Sequence, residues 1–152
     1  MRGVRWVLLA VLLVSIVGTG ALGAKPVRTA HGEFWSFFHF MGAKYDVQVA
    51  FNVQAKGEDD HGTISIRYFN GETGKLVGVV VSTNIFPIYF EEDVIRFEAQ
   101  LRAPKWDIPI PALGWAIFLA EDKGDADDFW VIAPITLALA PTRGKIVIRA
   151  FD

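Results

Sequence analysis

The acidic residues between positions 121 and 128 are the side chains in this sequence best suited to chemistry. The stretch EDKGDADD holds five acids and one lysine, and it separates the apolar runs ALGWAIFLA and FWVIAPI. Carboxylate oxygens are preferred calcium ligands, and the ion takes roughly six to eight oxygens at about 2.3–2.6 Å. The stretch therefore predicts a candidate calcium site, whose first ligand candidates are Asp122, Asp125, Asp127 and Asp128.

Two further acidic connections join this stretch if the strands of the domain alternate in direction. Every second connection of an up-and-down sheet lies at the same end, which places residues 56–62 and 91–93 beside 121–128. That end then carries 11 of the 17 acids, and most of the bases lie at the opposite end. The added connections contribute three more ligand candidates, Asp59, Asp60 and Glu92.

Three interpretations of the acidic end stay open from the sequence. The loops bind calcium, or they are solvated and acidic for solubility. Ends of opposite charge would also favour head-to-tail self-assembly between copies. The calcium hypothesis does not rest on an EF-hand, because the D-x-D-x-D-G run and its distal glutamate are missing.

Signatures of catalysis are absent from the sequence. The chain has no Cys, three His, and no G-x-S-x-G, P-loop or G-x-G-x-x-G motif. We therefore predict that the protein is not an enzyme. The alternative is a small secreted hydrolase of sugars or peptides that uses two loop carboxylates, such as Glu92 and Asp125.

The first 24 residues have the pattern of a secretory signal peptide. Arg2 and Arg5 precede the apolar run WVLLAVLLVSIV, and small residues follow it up to a predicted cleavage after Gly23 or Ala24. A retained membrane anchor is the alternative, since the run nearly reaches the roughly 20 residues of a spanning helix. The sequence thus predicts a signal peptide at 1–24 and one secreted or cell-surface domain at 25–152.

The predicted domain has no disulfides and a mildly acidic charge. Removing the two signal arginines leaves 13 bases against 17 acids, a net charge of −4. This balance argues against nucleic acid as a partner. We expect an extracellular protein, a glycan or a second copy of the chain as partner, with calcium as the only expected cofactor.

Apolar and polar residues alternate along most of the domain, as in strands with one buried face. Turn signals separate the runs, so an antiparallel β-sandwich of about eight strands is predicted. The segment 75–90 is predicted to be one strand, bent near Ser82–Asn84. The predicted strands are 33–40, 45–55, 63–69, 75–90, 94–102, 113–121, 129–137 and 145–151.

The segment APKWDIPIP, 103–111, is predicted to be an extended surface connection, because its three prolines exclude a helix. Trp106 in this segment is the expected partner-binding residue. Alternatively, it packs down as a lid over the sandwich.

Several short motifs follow one another in a recognisable order. They are Gly32-x-Phe34, AFNVQAKG, Gly62 with Tyr68 six residues on, LVGVVV, EDKGDADDFWV and GKIVI. This order resembles the small secreted β domains of the post-COAP-1 family, over nearly the whole of the domain. The resemblance implies an all-β fold, secretion and a long bent strand followed by a hairpin at 75–102. It implies no catalytic or binding residues.

Together these patterns predict a secreted or cell-surface module that binds or assembles without catalysis. The acidic end is its expected working surface.

Overall fold

Nine strands in one antiparallel sheet make up the part of the chain that the computed structural model describes, residues 27–56, 59–132 and 136–151. The strands are β1 (Val27–Phe40), β2 (Ala43–Ala55), β3 (His61–Asn70), β4 (Leu76–Glu91), β5 (Val94–Trp106), β6 (Trp115–Glu121), β7 (Asp128–Ile132), β8 (Thr136–Ala138) and β9 (Arg143–Phe151). Their order is β8-β7-β6-β5-β4-β3-β2-β1-β9. The all-β prediction is confirmed, but the described strands form one sheet and not two separate ones. The predicted signal segment, 1–24, lies outside the described residues.

The alternation in the sequence determines which face of each strand is buried. In β2, Val47, Val49 and Val53 are fully buried, whereas the alternate residues Ala50 and Asn52 are exposed. The same period of two continues in β5 and β6. The sheet therefore has one apolar face, which forms the core.

The long strand β4 is continuous, as predicted, and its pairing with β5 is irregular around the place where the bend was predicted. Its register with β5 shifts at three places, Val79/Val81, Ser82/Asn84 and Ile85/Ile88. Its pairing with β3 ends at Val81, and beyond that point the N–H of Ile64 bonds to the Ser82 hydroxyl at 3.0 Å. Because β4 is a single strand, β5, β6, β7 and β9 run in the directions that the sequence predicted. The predicted strand 129–137 is wrong in one respect, since β8 runs antiparallel to β7 within it.

The three acidic connections consequently lie at one end of the sheet. The described residues there are 56 and 59–60 after β2, 92–93 after β4 and 122–127 after β6. The N–H of Asp122 bonds to the carbonyl of Asp93 at 2.9 Å, which links two of the connections directly. We call this the acidic end.

The sheet curls until β9 lies beside the connection between β6 and β7. The N–H groups of Ile146 and Ile148 in β9 bond to carboxylates of that connection. Inside the curl, the rings of Phe34 and Phe129 lie 5.2 Å apart across the core. The sheet thus wraps around a single core.

Phenylalanine rings fill the half of this core nearer the acidic end. Neighbouring ring centroids are 5.2 to 5.9 Å apart, within the range of favourable aromatic pairs. The rings belong to Phe34, Phe51, Phe97, Phe118 and Phe129. No helix in the described residues has the length and apolar character to cross a membrane.

Candidate functional site

An apolar cavity of about 470 Å³ occupies the other half of the core, away from the acidic end. Seven of the strands contribute to its wall; β2 and β9 do not. Buried side chains at the centre of the wall include Ile66, Val80, Leu101 and Phe118. Successive side chains of a strand point to opposite faces of the sheet, and each of these residues lies on the face that turns towards the core.

Two lining residues have polar side chains, Tyr68 and His39, and the His39 ring lies beside exposed Phe37 on the outer face of the sheet. Desolvation raises the pKa of Tyr68, since the ionised phenolate would lie in an apolar environment. Trp106 packs edge-on against Tyr68, with ring centroids 5.4 Å apart. The wall is otherwise made of aliphatic and aromatic side chains and two small residues, Ala112 and Pro111.

The connection between β5 and β6, residues 107–114, covers the cavity as a lid. Ile108 is buried, and Ile110, Pro111 and Leu113 also line the cavity. Three hydrogen bonds hold the lid and its flanks: Asp107 N–H to Val77 O at 2.7 Å, Leu101 N–H to Gly114 O at 2.9 Å, and Trp106 Nε1–H to Ile110 O at 2.6 Å.

The cavity opens where the end of β1 lies opposite β8 and the lid. The pairing of β1 with β9 stops at Trp35, so the last residues of β1 pair with β2 alone among the described strands. β8 has only three residues and pairs with β7. Pro111 of the lid, a lining residue at this place, is exposed.

This geometry suits the binding of a small apolar molecule. Pockets for small ligands measure roughly 300–1,000 Å³ and are lined mainly by hydrophobic side chains. Protein interiors otherwise leave few voids larger than a water molecule. Apolar cavities in proteins can take up apolar molecules.

The acidic end has a different construction, in which carboxylates bond to the backbone. Asp127 is 7% exposed and accepts the N–H groups of Lys123 at 2.9 Å and Ile146 at 2.6 Å. Asp122 accepts the N–H groups of Gly124 at 3.2 Å and Ile148 at 3.0 Å. Two predicted calcium ligands thus satisfy N–H groups on the edge of β9.

Lys123 neutralises much of the remaining charge on this connection. Its ammonium group lies 2.8 Å from Asp128 and 3.1 Å from Glu121. The hydrogen bond to Asp128, and then that to Glu121, raises the pKa of Lys123. Asp128, a third predicted calcium ligand, is therefore paired with a cation.

The other predicted ligands lie at the same end without converging. Asp125, Asp59 and Glu92 are exposed, and the carbonyl of Glu92 accepts a hydrogen bond from Arg28 at 2.8 Å. Asp60 is half-buried. In the described residues, no group of three or more His, Cys, Asp or Glu side chains is placed to hold a metal ion.

Calcium binding stays a prediction of the sequence. A thermal melt with calcium and one with chelator would test it, since equal melting temperatures would remove the hypothesis. The hydrolase alternative also stays open.

Trp106, the predicted partner-binding residue, is the last residue of β5 and is half-buried in the cavity wall. The alternative prediction, in which it packs as part of a lid, agrees with its bond to Ile110. The cavity itself was missed by sequence reasoning. A usable signal was the segment IPIPAL, whose apolar residues are too many for an exposed loop.

In comparisons with known proteins, the chain matches no family model, no curated protein and no solved structure. The resemblance to the post-COAP-1 domains stays a prediction.

Proposed function

We propose that this chain is a non-catalytic binding module that holds a small apolar molecule in the cavity under the 107–114 lid. The observation that carries the proposal is the cavity itself, about 470 Å³ with almost entirely apolar walls. An empty cavity lowers the stability of a fold roughly in proportion to its volume. A ligand that fills it restores those contacts and stabilises the folded state.

The two ends of the molecule have separate roles in this proposal. At the acidic end, Asp122 and Asp127 hold the sheet closed through β9. The opposite end contains the cavity and its opening. The working surface is therefore the end opposite the one that the sequence pattern favoured.

The fold suits this role because the two sides of the curled sheet face each other across the core. Phe51 of β2 lies 5.8 Å from Phe97 of β5, much as side chains meet between the two sheets of a sandwich. We propose that this sandwich-like arrangement is rigid near the acidic end, where the rings pack. At the other end the same two sides stand apart and leave room for a ligand.

We also propose that the module acts outside the cell or at its surface. The support is the charged, apolar and small-residue pattern of residues 1–24. A partner in this setting delivers or receives the apolar molecule, which needs a carrier because it is poorly soluble in water.

Titration with a neutral, polarity-sensitive fluorophore such as N-phenyl-1-naphthylamine tests the proposal. We expect a blue-shifted emission that saturates at one molecule per chain, together with a higher melting temperature of the complex. Emission that does not saturate, with an unchanged melting temperature, would remove the proposed function.

A further inference from the structure

We infer that the ligand is an uncharged, largely hydrocarbon molecule with one carbonyl group, whose oxygen accepts a hydrogen bond from the Tyr68 hydroxyl inside the cavity. This inference rests on the proposed function and adds the chemical class of the ligand. It follows from the few polar groups of the walls and from the position of Tyr68 among them.

The cavity walls offer very few polar side-chain groups. Of the described side chains that line the cavity, three carry a nitrogen or oxygen atom, His39, Tyr68 and Trp106. The His39 ring lies beside exposed Phe37 on the outer face of the sheet. The indole N–H of Trp106 is bonded to Ile110 O at 2.6 Å. Among the described side chains of the wall, the Tyr68 hydroxyl is therefore the group left to bond to a ligand.

Tyr68 reaches the cavity from the inward face of β3. It shares that face with Ile64 and Ile66, which are both buried. The rings of Phe38 and Trp106 meet the Tyr68 ring edge-on, with centroids 6.2 and 5.4 Å away. Both of these neighbours also line the cavity, so their packing holds the phenol in the wall.

The Tyr68 hydroxyl is shielded from bulk water. Burial raises its pKa, and no hydrogen bond from the described residues contributes to that shift. The side chain nevertheless keeps part of its surface accessible, which fits a residue that borders a cavity. The phenol therefore stays protonated at neutral pH and presents an O–H donor. A buried donor without an acceptor is unfavourable, so a ligand that supplies the acceptor gains affinity.

A single hydroxyl in the wall favours a ligand group that only accepts hydrogen bonds. A carbonyl oxygen accepts the O–H of Tyr68 and leaves no donor unpaired. An alcohol brings a second O–H, so one of the two O–H groups would remain without an acceptor. A carboxylate or ammonium group would bury a charge that no described side chain of the wall balances. The complementary group is therefore a neutral carbonyl.

The rest of the ligand is hydrocarbon. From the sheet, Val80, Leu101 and Val131 contribute only hydrocarbon to the wall, and from the lid Ile108 does the same. A second polar group placed against these residues would lose its water without gaining a partner.

Displacement of the fluorophore by nonyl methyl ketone tests the inference. The matched ligand is the alkene in which C=CH₂ replaces C=O. In Tyr68→Phe, we expect the affinity for the ketone to fall by about tenfold, because its buried carbonyl loses the donor, while the affinity for the alkene stays the same. Each ligand is compared with itself in two proteins, so differences in hydration between the ligands cancel. The corresponding secondary alcohol and undecanoate should bind wild type more weakly than the ketone does.

Tyr45→Phe is the matched control. Tyr45 is a buried tyrosine of the neighbouring strand β2 that stacks on Phe38 and is not among the described lining residues. Its replacement should leave both affinities as in wild type. Infrared spectra of the bound ketone give a second measurement. The C=O stretch should lie at a lower wavenumber in wild type and Tyr45→Phe than in Tyr68→Phe, because a hydrogen bond weakens the C=O bond.

The outcomes distinguish this inference from the proposed function. If the fluorophore saturates but Tyr68→Phe changes the affinities for ketone and alkene by the same factor, the inference is overturned and the proposed function stands. The same C=O stretch in wild type and Tyr68→Phe would also overturn it. Undecanoate that binds as tightly as the ketone would overturn the uncharged class. If neither the fluorophore nor the ketone binds, the proposed function fails and the inference fails with it.

Discussion

Asp127 accepts the backbone N–H of Ile146 at 2.6 Å, at a place where the aspartate is almost completely buried. β9 pairs with β1 on one edge, and the alternate N–H groups on its other edge face the connection between β6 and β7. Asp122 and Asp127 thus accept hydrogen bonds from backbone N–H groups of β9 that would otherwise need a further strand as partner. This accounts for two of the five acids in the stretch 121–128.

Replacing Asp127 should weaken the closure of the sheet. Asp127→Ala leaves the N–H groups of Lys123 and Ile146 without their acceptor, and each loss costs about 1–3 kcal/mol. We expect the free energy of unfolding, measured by urea denaturation, to fall by about 2–4 kcal/mol. Asp125→Ala, on the same connection but exposed, should change it by less than about 0.5 kcal/mol. Equal effects of the two substitutions would refute the closure by Asp127.

Gly144 should be intolerant of any side chain because β1 lies directly beside it. Its φ is +94°, and a Cβ there would overlap the carbonyl oxygen of Glu33. We expect Gly144→Ala to lower the free energy of unfolding by about 2 kcal/mol or more. Gly74 also has a positive φ, +68°, but a Cβ would meet open space. Gly74→Ala should cost only about 1 kcal/mol, and a larger loss there than at Gly144 would contradict the pairing of β9 with β1.

The burial of Tyr68 predicts a loss of stability at alkaline pH. Burial raises its pKa in the folded state, so the unfolded chain loses the proton first as the pH rises past about 10. By linkage, the stabilisation is fully present below that pH and decreases above it. The urea midpoint should therefore decrease between neutral and alkaline pH, and this decrease should be smaller in Tyr68→Phe than in wild type. The control variant Tyr89→Phe changes an exposed tyrosine and should behave as wild type. An identical decrease of the urea midpoint in all three proteins would show that Tyr68 is not desolvated.

Trp106 should control how readily the lid opens. Trp106→Phe keeps an aromatic ring in the wall but removes the N–H that bonds to Ile110 O at 2.6 Å. We expect a loss of about 1 kcal/mol in the free energy of unfolding and faster dissociation of the fluorophore in stopped-flow measurements. Trp115→Phe, at an exposed position of β6, should change neither quantity. Unchanged dissociation in Trp106→Phe would mean that this bond does not hold the lid.

Much of the fold can be predicted from the local alternation of apolar and polar residues. The closure of the curled sheet by β9 cannot. The alternation along β2 and β5 and the irregularity near Ser82 are visible in the sequence because they depend on neighbouring residues. Residues 103–106, predicted as a loop from their proline, continue β5 because Lys105 and Trp106 pair with β4. The predicted strand 129–137 overlaps two strands, β7 and β8, and residues 133–135 between them lie outside the described residues.

The candidate site was less predictable for a physical reason. Asp127 was expected to bind a cation, but its partners come from β9, 19 residues further along the chain. The cavity likewise depends on how far the sheet curls and on where β9 begins, opposite Trp35. Both features depend on contacts between residues that are far apart in the chain. The two-residue hydrophobic period and the composition do not encode such contacts.

Fluorophore binding by two adjacent valine variants tests the central claim, that the cavity is the binding site. Val80 lines the cavity, whereas Val79 occupies the opposite face of the same strand. Val80→Phe should fill part of the cavity and weaken fluorophore binding by about tenfold or more, without lowering the melting temperature. Val79→Phe should bind as wild type does. Equal, wild-type affinity in both variants would contradict the account, because the fluorophore would then bind elsewhere.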